Sequence, residues 1–66
     1  MDIAARSRVL QDIGLKLLDS YHLAFAEAAE VDFLLTTDDR FVKIADRIKT
    51  AVKVINPLNF LKEITP

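Results

Sequence analysis

Two aspartates, with a threonine close to the second, are the residues best suited to chemistry in this sequence. Asp19 and Asp38 bracket the run from Leu18 to Phe41, and Asp39 follows directly. The run reads as a helix opened by Asp19, a buried strand over Asp32 to Thr36, and a further helix opened by Asp38 or Asp39. A helix rises about 1.5 Å per residue, so Asp19 to Glu30 covers about 18 Å. A strand rises about 3.3 Å per residue, so Asp32 to Thr36 returns about 16 Å. The near cancellation carries Asp19 and Asp38 to one end of the unit, by the carboxyl end of a strand, where open parallel sheets bind ligands. Carboxylates gathered there repel one another unless a cation or helix N-termini hold them. A hard divalent ion suits such oxygens, which makes Mg²⁺ or Mn²⁺ the expected cofactor. Taken singly, each aspartate is fully explained as a helix N-cap. Thr36 can bond a substrate or a metal-bound water, although a threonine there is more often just a strand-end hydroxyl.

The other polar candidates are weaker. His22 falls one turn into a mostly apolar helix and reads as a hydrogen-bonded core histidine rather than a general base. Tyr21 and Phe25 read as core aromatics. Arg6, Arg8 and Asp12 read most simply as a solvated face, with phosphate contact by the arginines the lesser reading. A single glycine leaves no phosphate-cradling loop, and the sequence holds neither a zinc ligand set nor a nucleophile–histidine pair.

Sixty-six residues make one small domain. Such a chain buries only about 60% of the surface its unfolded form exposes. There is no cysteine to staple it, which fits a reducing cytoplasm. The apolar fraction, 52%, is high for so short a chain and points to a surface intended for other protein. A net charge of -1 with scattered basic residues lends no support to a free-standing nucleic-acid binder. Met1-Asp2-Ile3 lacks the basic start of a signal peptide, and no apolar run approaches the roughly 20 residues of a membrane span. The expectation is a cytoplasmic protein that does not engage a membrane.

Around the two aspartates the periodicity defines six elements. Asp2 to Ile13 is a helix with Ile3, Leu10, Ile13 and Leu17 near one face, capped by Asp2 and ended by Gly14. Leu15 to Leu18 is a short connection that puts Asp19 at the N-cap, with Leu18 and Leu23 as a hydrophobic staple. The second helix is apolar nearly all round and is expected to be buried on more than one side. Phe33-Leu34-Leu35 suits a parallel strand covered on both faces. Asp39 to about Lys49 is amphipathic through Phe41, Ile44, Ala45 and Ile48. Val52 to Ile55 is a second strand, and Asn56-Pro57 caps and starts a last helix with Leu58, Leu61 and Ile64 along one side. The fold class is therefore α/β, ordered α-α-β-α-β-α, with a short parallel sheet. Two strands make a meagre sheet with open edges, and an apolar edge recruits another chain.

Three segments carry a family resemblance. Asp19-Ser20-Tyr21-His22-Leu23-Ala24 resembles the D-A-x-H-L-A helix start of PIN domains. Leu35-Thr36-Thr37-Asp38-Asp39-Arg40-Phe41 resembles their L-x-T-x-D-x-x-F segment, and Val54-Ile55-Asn56-Pro57-Leu58-Asn59-Phe60-Leu61 is similar to their closing strand and helix. The match spans nearly the whole chain but only the C-terminal half of the family's three-layer fold, so residues 1–66 read as one partial PIN-like domain. The resemblance implies a truncated relative of the VapC-type, Mg²⁺- or Mn²⁺-dependent endoribonucleases of toxin–antitoxin pairs. It implies catalytic roles for Asp19 and Asp38, metal ligation by Asp19, Asp38 and Asp39, and a substrate contact at Thr36. The family's remaining acids, an aspartate from the first strand and a glutamate from a middle helix, have no counterpart. Little or no ribonuclease activity is therefore expected from these residues alone, and any metal is expected to bind weakly. The implied partners are RNA, an antitoxin, and either further copies of the chain or a complementing N-terminal fragment. The alternative expectation is a non-catalytic PIN-derived assembly module.

Overall fold

The first helix forms where both of its ends are sealed by local chemistry. Residues 1–65 are described by a computed structural model. In it α1 (Ile3–Ile13) starts at Asp2, whose carboxylate accepts the Ala5 N–H at 3.1 Å. Gly14 ends the helix at φ 125°, a conformation that a side chain disfavours. Its N–H donates to the Gln11 carbonyl at 3.0 Å, and the Leu15 N–H donates to the Leu10 carbonyl at 3.1 Å. These are the two bonds of a Schellman ending, and the Leu10 and Leu15 side chains that flank them are both buried.

That ending resets the start of the second helix. α2 (Leu17–Ala28) begins three residues earlier than expected, with Lys16 at the N-cap and no side-chain cap. Asp19 is therefore not the N-cap but a first-turn residue, where its charge still favours the helix dipole. The cause is Leu15: once it is anchored in the core the chain has already turned, and the Ser20 N–H closes onto the Lys16 carbonyl at 2.9 Å. The expected staple does not form, because Leu18 is 69% exposed.

α1 and α2 pack through small residues. Ser7 and Ser20 are fully buried with their hydroxyl oxygens 2.7 Å apart. Ser20 Oγ donates to the Leu17 carbonyl at 2.6 Å, and Gln11 Nε2 donates to Ser7 Oγ at 3.1 Å. The inner stripe of α1 is thus the buried Ser7 and Leu10 with the half-buried Ile3, while Ile13 and Leu17 stand exposed, contrary to the expected apolar face. On α2 the buried residues are Ser20, Leu23, Ala24 and Ala26. The rest of its apolar circumference, including Phe25 at 58% exposure, is uncovered, so the helix is not buried on several sides as expected.

After α2 the chain reverses at Glu30 (φ 57°) into β1 (Phe33–Leu35), then α3 (Asp39–Asp46), β2 (Lys53–Ile55) and α4 (Pro57–Ile64). The expected order α-α-β-α-β-α is the order observed. β1 and β2 pair in parallel with Leu34 opposite Val54. α3 stops at Asp46, short of the anticipated Lys49, with Arg47 as its C-cap. Leu34 and Val54 join the core formed by Leu10, Leu15, Leu23, Phe41 and Ala45. The other face of β1 is not covered in the way expected of a two-sided parallel strand: Phe33 is 36% and Leu35 45% exposed. α4 reaches it through an edge-on contact of Phe60 with Phe33 at 5.1 Å between ring centroids. Asn56 caps α4 by accepting the Leu58 N–H at 2.8 Å, as its sequence predicts, yet Leu58, Leu61 and Ile64 face solvent. Among the described residues no helix is long and apolar enough to cross a membrane.

A bidentate ion pair ties these layers. Arg6 Nε and Nη2 donate to the two Glu27 carboxylate oxygens at 2.8 and 2.9 Å, and Nη2 also donates to the Lys49 carbonyl at 3.2 Å. Arg6 is thus not part of a solvated face. The Arg6 guanidinium holds the Glu27 carboxyl below its ordinary value, with burial opposing and the Thr50 hydroxyl assisting. A depressed folded value makes this contribution complete above the unfolded carboxyl's ordinary value near 4.5 and lost as pH falls through the lower folded value. Glu27→Gln is expected to destabilise the fold by about 1–3 kcal/mol at neutral pH. Thermal melts from about pH 7 to about pH 3 should show the wild-type advantage disappearing in that acidic window. Equal melting temperatures at neutral pH would show that the pair contributes nothing.

Candidate metal and nuclease site

The Asp38 side chain is positioned by the end of β1. The Thr36 N–H donates to the Ile55 carbonyl at 3.0 Å, extending the β1–β2 ladder by one residue. Thr36 Oγ1 then turns back and accepts the Asp38 N–H at 3.1 Å. Asp38 in turn caps α3, its Oδ1 accepting the Arg40 and Phe41 N–H groups at 2.9 and 3.3 Å. Phe41 is buried and fixes the first turn of α3 to the core. Strand end, hydroxyl, carboxylate and helix N-terminus thus form one continuous hydrogen-bonded corner. Asp39, the first residue of α3, is exposed.

Of the expected site residues, the corner unites Thr36 with Asp38. Asp19 is half-buried in the first turn of α2 and makes no side-chain hydrogen bond among the described residues. Among the described residues no three His, Asp or Glu side chains stand together as a metal-holding group. One oxygen of Asp38 is committed to two backbone donors, and Asp39 opens to solvent. Mg²⁺ takes about six oxygen ligands in near-octahedral array, several of them waters. The carboxylates of this chain are an incomplete donor set for it.

The surface depressions lie elsewhere. One of about 540 Å³ runs between α3, β2 and α4, with Asp46, Lys53, Asn59 and Glu63 among its lining residues. Another of about 560 Å³ lies against α3 and the end of α1, with Asp39, Arg40, Lys43 and Arg47 on it. Neither is lined by Asp19 or Asp38. His22 is exposed on α2 rather than buried in the core, and Tyr21 and Phe25 form a tilted pair at the surface with centroids 6.4 Å apart. The aromatic pair fails as core because, among the described residues, no element packs over that side of α2 and Phe25 stays 58% exposed. A residue that sequence reasoning misses is Glu27. Its isolation as the lone charge in Ala24-Phe25-Ala26-Glu27-Ala28-Ala29 is a signal that it needs a buried partner.

No family model matches the chain, and neither a curated protein nor a solved structure matches it.

The corner makes Asp38 a test of cap against ligand. Asp38→Ala is expected to cost about 1 kcal/mol, because two N–H groups of α3 lose their acceptor. Asp38→Asn keeps that acceptor and should melt within a few tenths of a kcal/mol of wild type. An Asn variant as unstable as the Ala variant would mean that the charge, not the cap, holds the corner.

Proposed function

We propose that these residues form the C-terminal half of a PIN-like nuclease fold, related to the Mg²⁺- or Mn²⁺-dependent endoribonucleases of toxin–antitoxin systems and weak or inactive alone. The observation that carries the reading is the Thr36–Asp38 corner, in which a carboxylate at the end of a parallel strand also caps the next helix. Asp19 and Asp38 are the metal-binding carboxylates in this reading, Asp39 assists, and Thr36 lies beside the substrate. The remaining acids come from protein outside these residues. RNA is the substrate, an antitoxin the regulator, and the cytoplasm the setting. A second reading, a non-catalytic assembly module, draws support from the exposed apolar sides of α2 and α4.

Two measurements separate these readings. Mn²⁺ titrated into the protein by calorimetry should bind weakly, and binding should vanish in the double variant Asp19→Asn, Asp38→Asn. Unchanged binding in the double variant removes the site. Against RNA with Mg²⁺, the pure chain should show little or no cleavage. Robust cleavage lost in Asp19→Asn would instead mean that a second chain's carboxylates complete the centre.

A further inference from the structure

We propose that the outer edge of β1 pairs with β1 of a second copy of this chain, antiparallel about a two-fold axis beside Leu34, to give a four-stranded sheet β2-β1-β1-β2. The inference rests on the open strand edge and not on the nuclease reading. Parallel pairing uses the backbone of every second residue. The Lys53 N–H donates to the Asp32 carbonyl at 2.9 Å, and the Thr36 N–H donates to the Ile55 carbonyl at 3.0 Å. Residues 32, 34 and 36 therefore face β2, and the N–H and C=O groups of Phe33 and Leu35 face away from it. The sheet has the order β1-β2 and no third strand among the described residues, so those groups line a free edge.

This edge is complementary to itself. A two-fold axis beside Leu34 sets Phe33 opposite the partner's Leu35, and each of the two residues both donates to and accepts from the other. The same operation repeats the exchange between Leu35 and the partner's Phe33. Such an isologous contact closes after one copy and uses up both β1 edges, leaving β2 at the two outer edges of the sheet. Phe33 and Leu35 project to one face, so each aromatic ring gains a cross-strand aliphatic neighbour, a favourable pairing. Leu34 meets the partner's Leu34 on the core face. Within the paired segment charge raises no obstacle: the edge from Phe33 to Thr37 holds no charged residue, and Asp32 falls opposite the partner's Thr36 rather than an acid. The lysines, prolines and bulges by which exposed edges avoid one another are absent from Phe33 to Leu35. A standard interface takes about 800 Å² from each partner. That is about a sixth of this chain's 4601 Å².

Proline at position 35 isolates the edge. The Leu35 N–H takes no part in the β1–β2 ladder, so Leu35→Pro removes a donor needed only by the second copy. Sedimentation equilibrium of the wild type should show a concentration-dependent monomer and dimer. Leu35→Pro should be monomeric with an unchanged far-ultraviolet circular dichroism spectrum. Leu61→Lys, on the exposed side of α4, should still dimerise. Amide exchange at Phe33 and Leu35 should slow as wild-type concentration rises. A wild type that stays monomeric at every concentration overturns the proposal and leaves the edge to a strand from a different polypeptide. A dimer that survives Leu35→Pro, or one lost in Leu61→Lys, overturns it in favour of contact between apolar faces. Should Leu35→Pro fail to fold, wild-type exchange decides alone: rates at Phe33 and Leu35 that do not change with concentration overturn the edge pairing.

Discussion

A carboxylate near the end of an alanine-rich helix cannot be taken out of water without a matched cation, and Glu27 retains only 9% side-chain exposure. Arg6 satisfies it with two parallel hydrogen bonds, the geometry in which guanidinium and carboxylate bind best. The remaining reach of the guanidinium goes to the Lys49 carbonyl, in the segment between α3 and β2. One side chain thereby joins the first helix, the second helix and the segment that delivers the second strand. A chain of this length has few apolar residues to spend on such joints. Its core is a single cluster in which alanine occupies several positions. The ion pair orients the helix hairpin over the sheet where side-chain volume alone is thin.

Features set by neighbouring residues are legible in the sequence. The caps at Asp2, Asp38 and Asn56, the Gly14 terminus and the element order all depend on a few residues of local context. The features that are not legible depend on contacts across the fold. The start of α2 differs from its expected place because Leu15 is held by the core, a fact invisible from Lys16 to Asp19. Arg6 resembles a solvated residue because its partner lies 21 positions away. Tyr21, His22 and Phe25 suit the interior on composition, but among the described residues no second layer reaches their side of α2. The Thr36–Asp38 corner is readable in outline, since both residues lie within one turn. The placement of Asp19 relative to it depends on how α2 packs on β1.

Exposed apolar residues give the molecule two kinds of surface. One is the unpaired backbone of β1, where hydrogen-bonding direction decides what fits. The other comprises the outer sides of α2 and α4, where shape and area decide. They differ in specificity, because a strand edge accepts any extended chain of suitable register while a helix face requires matching ridges and grooves. The corner at Asp38 lies where β1 ends. A chain paired along the β1 edge would therefore terminate close to the residues on which the nuclease reading depends.

The buried hydroxyls of Ser7 and Ser20 set the registry of the helix hairpin. Two alanines would fill almost the same volume but would tolerate sliding of one helix along the other. With serines, the relay from Gln11 through Ser7 and Ser20 to the Leu17 carbonyl is complete in only one alignment. A shift of one turn, about 5.4 Å, brings Ser20 against Ile3 or Leu10 and strands a hydroxyl in apolar surroundings. An unpaired buried group of that kind costs about 1–3 kcal/mol. The serines thus discriminate against misaligned packings more than they strengthen the correct one.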